Sequence, residues 1–101
     1  MVSQRSPPSP SRRAGSKPKQ MYYVYLLKDR IGRIYIGYSA NLRRRVKEHK
    51  LGKVYTSRRM NNATLIYYEA YDSDTAAKLR EKKLKQFGSS YKGLIKRLNI
   101  P

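Results

Sequence analysis

Apolar and aromatic residues recur in three short alternating segments of the chain, a pattern typical of β-strands. These segments are Tyr22–Lys28, Arg33–Tyr38 and Thr64–Tyr71. Asp29–Gly32 joins the first two, and a short loop that ends in glycine favours an antiparallel hairpin. Because side chains alternate between the two faces of a strand, we expect Tyr23 and Tyr25 on one face and Tyr22 on the other.

Helical spacing begins after the second strand. Asn41 is expected to cap a first helix that runs to about Lys50. Leu42 and Val46 form the apolar stripe of this helix, which would pack against the sheet.

Two further helices are expected after the third strand. One begins at a cap on Ser73 or Asp74 and runs to about Phe87, where Gly88 would end it. The short final helix begins at Ser89–Ser90. The resulting order ββαβαα predicts a fold of mixed α/β composition, more narrowly α+β, in which a small three-stranded antiparallel sheet is flanked by helices.

The first twenty residues differ in composition from the rest of the chain. Residues 1–20 contain four of the five prolines, five basic residues and no acid. We expect them to form a disordered basic tail, and residues 21–101 to form the one domain. The whole chain has a net charge of +18. The domain alone contains 19 basic and 6 acidic residues, a net charge of +13, so its affinity for anions does not depend on the tail.

Composition excludes several classes of function. The absence of cysteine excludes disulfides, cysteine-based zinc sites and thiol nucleophiles. The single histidine, His49, is too few for a histidine metal cluster. No apolar run is long enough to cross a membrane or to act as a secretory signal. We therefore expect a cytoplasmic, nucleoid-associated protein whose positive charge favours a nucleic-acid partner over an anionic membrane surface.

Two polar residues share the inner face of the first helix with its apolar stripe. The spacing i, i+3, i+4, i+7 is followed by Leu42, Arg45, Val46 and His49. One interpretation is a boundary pair, in which the arginine reaches solvent and the histidine bonds a carbonyl. The other is a functional pair, one helical turn apart and directed the same way. The spacing alone leaves both open.

The second helix carries one acid beyond its cap. Glu81 shares a stripe with Ala77, Leu84 and Gly88 and has basic neighbours on both sides. Those neighbours would neutralise the carboxylate on a solvated face. If the stripe buries it instead, the carboxylate needs a cation, either Arg45 or a metal ion. An ion held by one carboxylate would be a hard cation such as Mg²⁺, completed by water and substrate phosphate.

Tyrosine is unusually frequent, with ten residues against one phenylalanine and no tryptophan. Most of these tyrosines are expected in the core, where their hydroxyls need partners, and some are available to stack on bases or bind phosphates. Gly37, directly after Tyr35 and Ile36, indicates a close backbone approach or a β-bulge beside a site.

Taken in order, these residues resemble the GIY-YIG endonucleases. Tyr23-Val24-Tyr25 stands where the first motif of the family lies, with tyrosine in place of its glycine, and Tyr35-Ile36-Gly37 repeats the second motif in full. Arg45 and His49 have the spacing of the family's next helix. Glu81 lies on the following long helix, where the family carries its metal-binding glutamate. The chain is similar to the small stand-alone members of the family.

This resemblance implies hydrolysis of DNA phosphodiester bonds with one Mg²⁺ or Mn²⁺ ion. Glu81 would hold the ion, and Arg45 would neutralise the charge that develops on the phosphoryl oxygens. Tyr25 and Tyr35 would line the reacting centre, one of them as general base. His49 would orient or deprotonate the nucleophile, within hydrogen-bond reach of a tyrosine.

Basic residues near these motifs are the candidates for contacts with DNA phosphates. They are Lys28, Arg33, Arg43, Arg44, Lys47, Lys53 and Arg58. Many members of the family have an asparagine near the end of the domain, for which Asn99 is the candidate here. Gly37 is a further candidate beside the site. No second DNA-recognition domain is visible, so we expect target choice to depend on nucleic-acid structure, on a protein partner or on the tail.

Two other functions compete with that of a structure- or strand-selective nuclease of DNA repair or recombination. One is a non-catalytic module that binds DNA or RNA and retains the nuclease fold, for which basic charge and exposed tyrosines suffice. The other is a ribosome- or RNA-associated basic protein. An isolated carboxylate on a basic inner face favours the nuclease, because it would repel phosphate unless a metal ion covers it.

Overall fold

The described part of the chain contains three strands and three helices in the predicted order. The structure, a computed structural model, describes residues 19–54, 59–60 and 62–100. The strands are β1 (Tyr22–Lys28), β2 (Ile34–Ser39) and β3 (Thr64–Tyr71). The helices are α1 (Leu42–Lys50), α2 (Asp74–Lys85) and α3 (Ser89–Arg97). Most of the predicted disordered tail, residues 1–18, lies outside the described residues.

The predicted antiparallel hairpin of β1 and β2 is confirmed, and a buried carboxylate closes its loop. Asp29 accepts hydrogen bonds from the backbone N–H groups of Ile31 at 3.2 Å and Arg33 at 2.7 Å. It also accepts one from Nε of Arg33 at 2.7 Å. Because Arg33 belongs to the loop, the prediction that it opens β2 is wrong. The strand begins one residue later, at Ile34, and runs to Ser39.

The turn between α2 and α3 also differs from the prediction. Gly88 does not end α2, which stops at Lys85. Phe87 adopts the left-handed backbone conformation, with φ of 55°, and its N–H donates to the carbonyl of Leu84 at 3.0 Å. Gly88 instead occupies the N-cap position of α3. The chain therefore reverses one residue earlier than glycine preference suggests.

The sheet has the order β2-β1-β3, with both pairs antiparallel. The central strand β1 is covered on both faces, and its residues from Tyr23 to Leu27 are all buried. Double coverage explains why this strand is apolar and aromatic throughout rather than polar at every second position.

Each face of the sheet carries its own core. Residues packed on the α2 and α3 side include Val24, Leu26, Ile36, Ala77, Leu84 and Leu94. Residues packed on the α1 side include Tyr23, Tyr25, Leu27, Leu42 and Val46. The predicted separation of Tyr22 from Tyr23 and Tyr25 is confirmed.

A β-bulge lies in the pairing of β1 with β3, and it reverses the alternation of β3. Leu26 pairs with Tyr67 but Leu27 pairs with Leu65, so Ile66 is the extra residue. Ile66 and Tyr67 consequently pack on the α2 side in succession. After the bulge, Glu69 is also on the α2 side, where it meets that helix.

None of the helices in the part of the chain described here is long and apolar enough to span a lipid bilayer.

Candidate active site

Tyr25 lies against Gly37, its direct partner in the β1–β2 pairing. A Cβ added to Gly37 would be 2.3 Å from Cζ of Tyr25 and 2.4 Å from its hydroxyl oxygen. Glycine is therefore required for the Tyr25 ring to cross β2 at this point. The predicted close approach at Gly37 is confirmed, whereas the β-bulge considered there lies in β3 instead.

Three rings form a cluster on the α1 side of the sheet. The Tyr25 hydroxyl and Nε2 of His49 share a hydrogen bond of 2.7 Å in a buried environment. The ring centroids of Tyr25 and His49 are 5.6 Å apart. Tyr35 completes the cluster, with its centroid 6.3 Å from that of Tyr25 and 4.8 Å from that of His49.

Helix α1 presents His49 to this cluster because of its N-terminal cap and its apolar stripe. The Asn41 side chain accepts a hydrogen bond from the N–H of Arg44 at 3.1 Å, which fixes the start of the helix as predicted. Leu42, the first residue of α1, is buried. His49, two helical turns later on the same face, is also buried. These buried residues set the rotation of α1 about its axis, and this rotation places Arg45 at the edge of the ring cluster.

Arg45 reaches both the tyrosines and an acid that the sequence analysis did not single out. Its Nη1 donates to Oε1 of Glu48 at 3.1 Å. The hydrogen bond to Glu48 raises the pKa of Arg45, and interactions with Tyr25 and Tyr35 raise it further. The i, i+3 spacing of Arg45 and Glu48 is the sequence signal that predicts their pairing.

The environment keeps both partners of the buried hydrogen bond uncharged at neutral pH. Burial is the main cause that raises the pKa of the Tyr25 hydroxyl, with the nearby Tyr35 adding to it. Burial also lowers the pKa of His49, and the positive charge of Arg45 lowers it further. A neutral imidazole that carries its proton on Nδ1 accepts the hydrogen bond of the Tyr25 hydroxyl at Nε2.

Glu81 lies on α2, and its carboxylate acts on the cluster through its charge. Its side chain is 22% exposed, and its charge is close enough to raise the pKa of the Tyr25 hydroxyl. The cation beside it is Lys85, whose Nζ is 3.0 Å from Oε2 of Glu81. In this structure the carboxylate is thus paired with a basic neighbour one turn further along the helix, which is the first of the two interpretations left open by the sequence.

Two polar contacts attach α2 to the sheet, both at residues that precede Glu81 in the helix. Near the start of the helix, the Tyr38 hydroxyl donates to Asp74. In the middle, Arg80 donates to both oxygens of Glu69, from Nε at 3.0 Å and from Nη2 at 2.9 Å. Because Arg80 directly precedes Glu81, this bidentate pair fixes the rotation of α2 that presents Glu81.

The acceptor Glu69 was missed by the sequence analysis. It also accepts hydrogen bonds from the hydroxyls of Tyr67 and Tyr71. Burial raises the pKa of Glu69, but the hydrogen bonds from Arg80 and the two tyrosines outweigh that effect and hold it below its ordinary value. Simple alternation places Glu69 on the opposite face from the one that it occupies, because the bulge is not visible in the sequence.

The basic residues expected to contact phosphate are only partly available for that role. Arg33 is bonded to Asp29 and donates from Nη2 to the carbonyl of Arg59 at 3.1 Å. Nε of Arg44 lies 3.8 Å from Oε2 of Glu48. Exposed positions on and after α1 are occupied by Arg43, Arg44, Lys47 and Lys53, whereas Lys28 is half-buried at the end of β1.

The remaining predicted residues lie away from the cluster or outside the described chain. Asn99 is exposed just after α3 and has a left-handed backbone, with φ of 59°. This is the position and conformation of a helix C-terminal residue. Arg58 lies outside the described residues.

A divalent cation would have one carboxylate here. Among the residues that the structure describes, no group of three or more histidine and acidic residues is placed to hold a metal ion. Mg²⁺ commonly binds through one or two carboxylates and completes its shell with water and substrate phosphate. Glu81 fits that chemistry once Lys85 moves aside, and the long lysine side chain is half exposed and able to do so.

Comparison with known proteins gives a family match. Residues 21–94 match the family model of the GIY-YIG catalytic domain. A UPF0213 protein of Halobacterium salinarum is 36% identical over 74 residues, covering 71% of this chain and 95% of that protein. A UPF0213 protein of Staphylococcus haemolyticus is 34% identical over 73 residues, covering 70% and 88% respectively.

The fold is similar to that of a solved relative. The solution NMR structure of a UPF0213 protein of Bacillus halodurans superposes with a TM-score of 0.50 at 28% sequence identity. The superposition covers 79% of this chain and 86% of that protein. The predicted α+β fold, with its three-stranded antiparallel sheet, is confirmed.

Proposed function

The chain belongs to the GIY-YIG catalytic domain family, and on that premise we propose that it is a metal-dependent endonuclease. It hydrolyses DNA phosphodiester bonds and selects its substrate by structure or strand, as an enzyme of DNA repair or recombination does. The observation that carries this proposal is the buried 2.7 Å hydrogen bond between Tyr25 and His49, with Arg45 and Glu81 both close enough to act on Tyr25.

Tyr25 and His49 together move one proton. Since burial raises the pKa of Tyr25, its phenolate is not present in advance. Tyr25 is fully buried before substrate binds. Binding of the phosphate must therefore open the cluster to the attacking water, and the Tyr25 oxygen takes a proton from that water as its own proton passes to Nε2 of His49. The water oxygen forms its bond to phosphorus, and the bond from phosphorus to the leaving oxygen breaks. The neutral state of His49 suits it to accept this proton.

Arg45 and Glu81 act on the phosphate. The Arg45 guanidinium lies at the edge of the ring cluster and neutralises charge on the phosphoryl oxygens. To do so it exchanges its contact with Glu48 for one with the substrate. Glu81 would hold the Mg²⁺ or Mn²⁺ ion, which when bound would polarise the phosphate and stabilise the leaving oxygen. Tyr35 lines the same cluster beside His49.

A second candidate is a non-catalytic module that binds DNA or RNA. The ion pair between Glu81 and Lys85 favours this alternative, because it already neutralises the carboxylate without a metal. The pair of Arg45 with Glu48 has the same effect on the arginine. Under this alternative both acids serve stability, and the exposed basic residues of α1 bind phosphate.

A cleavage assay with Mg²⁺ or Mn²⁺ separates the two functions. Wild type, Glu81→Ala and Arg45→Ala are compared on duplex, single-stranded, flap and branched DNA, and on the matching RNA. We expect products from wild type and a loss of about 100-fold or more in each variant, with binding retained. Lys82→Ala is the matched control, since Lys82 is exposed and directly follows Glu81. Binding by all four proteins without products under either metal would overturn the proposal.

Lys85→Met tests the metal role of Glu81 more directly. Removing the lysine frees the carboxylate, so the metal concentration for half-maximal cleavage should fall. A non-catalytic module would respond only in stability.

A further inference from the structure

The chain's one phenylalanine lies exposed at the corner between α2 and α3. Phe87 is 53% exposed and has a left-handed backbone, with φ of 55°. That conformation is unfavourable for a residue with a bulky side chain, and glycine normally occupies it at the end of a helix. Glycine is available one position later, at Gly88, but is not used for this purpose. A strained and exposed aromatic residue points to a role other than folding.

The Phe87 ring is held in place by a second aromatic residue. Its centroid is 4.8 Å from that of Tyr91, with the planes at 75° in an edge-to-face arrangement. Tyr91 is half-buried and packs against the core on the α2 and α3 side. Phe87 is therefore an exposed ring on a rigid support, so little conformational freedom is lost when something stacks on it.

The surface around this ring is basic. Glu81 is the last acid of the chain, and every charged residue after it is lysine or arginine. Lys83, one helical turn before Phe87, and Lys92, directly after Tyr91, are both exposed. Neither lysine side chain forms an ion pair or hydrogen bond with any residue in the described ranges.

We propose that Phe87, supported by Tyr91 and flanked by Lys83 and Lys92, binds single-stranded nucleic acid. An unpaired base stacks on the Phe87 ring, and the lysines bind the adjoining phosphates. An exposed aromatic ring combined with unpaired cations is the arrangement by which proteins bind single strands without reading sequence. A duplex offers phosphates but no free base face, so it would use the lysines and leave the ring without a role.

Binding at this site would define the substrate class of the proposed nuclease, and this inference rests on that proposed function. α1 packs on one face of the sheet, while α2 and α3 pack on the other. The Phe87 corner therefore holds the unpaired arm of a branched or flap-containing DNA on the α2 and α3 side of the sheet, while α1 and the ring cluster lie on the other side. Binding itself is measured without a divalent metal, so that it does not depend on catalysis.

Phe87→Trp in the full chain provides a direct probe. The protein contains no tryptophan, so tryptophan emission, excited selectively over that of the tyrosines, reports this position alone. Titration with oligo(dT) in EDTA should quench the fluorescence to saturation, because a base stacks on the indole. Leu79→Trp is the matched control, since Leu79 is 55% exposed on α2 and outside the site. Equal quenching of the two variants, or quenching of Phe87→Trp by duplex as strong as by single strand, would overturn the proposal.

Affinity gives a second, independent measurement. Phe87→Ala should weaken binding of oligo(dT) by about 5- to 150-fold and leave duplex binding unchanged. Phe87→Tyr keeps the ring and should bind as wild type does, which guards against a folding defect in the alanine variant. Replacing both Lys83 and Lys92 by Gln should reduce the magnitude of the salt slope by about 1.4. An unchanged slope would contradict the assignment of the lysines.

The outcomes separate this site from the nuclease function and from other occupants. Single-strand binding through Phe87 without any cleavage would contradict the nuclease and leave this site intact. Cleavage that is indifferent to Phe87→Ala on flap DNA, with unchanged oligo(dT) affinity, would overturn the site alone. A blue shift of Phe87→Trp with phosphatidylserine vesicles, but no response to oligo(dT), would replace the nucleic acid by a membrane surface.

Discussion

Gly37 and Tyr25 occupy a space that has no room for one more carbon atom. A Cβ on Gly37 would meet three atoms of the Tyr25 ring, the nearest at 2.3 Å. Tyr25 is fully buried, so its ring has no free volume into which to move. Gly37 of the second motif thus leaves room for the ring of Tyr25 of the first motif, and this position of the ring allows the hydrogen bond to His49.

Gly37→Ala should therefore damage both stability and the site. We expect a loss of about 1–3 kcal/mol in the free energy of unfolding, because the core becomes overpacked. The ring must shift, which breaks the 2.7 Å contact with His49 and lowers cleavage accordingly. Thermal or denaturant unfolding, together with the cleavage assay, measures both effects.

Gly93→Ala is the matched control. Gly93 lies in α3, is exposed, and has nothing within 4 Å of an added Cβ. Alanine is the better helix former, so this change should stabilise the protein by about 0.5–1 kcal/mol. Equal effects of the two substitutions would show that the Tyr25 contact is unimportant.

The charge of Arg45 should be visible in the titration of His49. Burial and then Arg45 lower the pKa of His49, so Arg45→Ala should raise it. Because the chain has one histidine, its imidazole resonance in an NMR titration is unambiguous. Arg43→Ala removes an exposed arginine of the same helix and should leave the pKa of His49 where it is in wild type. Equal shifts in both variants would mean that general charge, not proximity, sets the pKa.

The same titration predicts the acid limb of activity. Protonated His49 has no lone pair at Nε2 and cannot accept the Tyr25 proton. Cleavage should therefore decline as the pH falls through the lowered pKa of His49, below 6.5. In Arg45→Ala, any residual activity should decline at a higher pH than in wild type. An acid limb that does not follow the NMR titration would exclude His49 as the proton acceptor.

Glu69→Gln should weaken the attachment of α2 to the sheet. The charged pair of Glu69 with Arg80 is largely buried: the Glu69 side chain is 15% exposed and the Arg80 side chain is 26% exposed. Replacing the carboxylate by an amide should lower the free energy of unfolding by about 1.5–3 kcal/mol at neutral pH. Asp72→Asn removes an acid whose pair with Lys19 is solvent-exposed, and no measurable loss is expected.

The sign of the pH dependence follows from the lowered pKa of Glu69. A depressed folded-state pKa contributes stability above the unfolded-state value and loses it as the pH falls through the folded-state value. The difference in stability between wild type and Glu69→Gln should therefore be full at pH 7 and should shrink below about pH 4.5, the ordinary value for glutamate. A constant difference across that range would mean that the charge of Glu69 does not matter.

Asn99 is expected to serve the end of α3 rather than catalysis. Its left-handed backbone, with φ of 59°, is tolerated by asparagine and preferred by glycine. Asn99→Gly should preserve both stability and cleavage, whereas Asn99→Ala should cost about 1 kcal/mol of stability. A selective loss of cleavage in Asn99→Gly would instead support the role implied by the family resemblance.

Some of the site's ion pairs were within reach of sequence reasoning. Arg45 with Glu48 and Glu81 with Lys85 are pairs at i, i+3 and i, i+4 on single helices. Their spacing is a local property of the chain, and the helices that carry them were predicted. Neutralisation of Glu81 by its basic neighbours was one of the two interpretations left open.

The contacts of Glu69 could not be predicted from the sequence. Its face is set by the extra residue in β3, and a bulge has no signature in this stretch of alternating apolar residues. Likewise, the left-handed turn at Phe87 contradicts the local preference for the neighbouring Gly88. In both cases the packing of helices on the sheet outweighs a backbone preference of the order of 1 kcal/mol.

The sequence by itself determined the six elements, the two faces of β1, the inward position of His49 and the family. Periodicity and capping are local, so they can be read without knowing what lies opposite. Only the tertiary structure decided that Tyr25 bonds His49, that its ring lies on Gly37, and that Glu69 holds Arg80 beside Glu81. These contacts join residues from different elements, and their geometry depends on strand register, a bulge and helix rotation, which the whole core sets together.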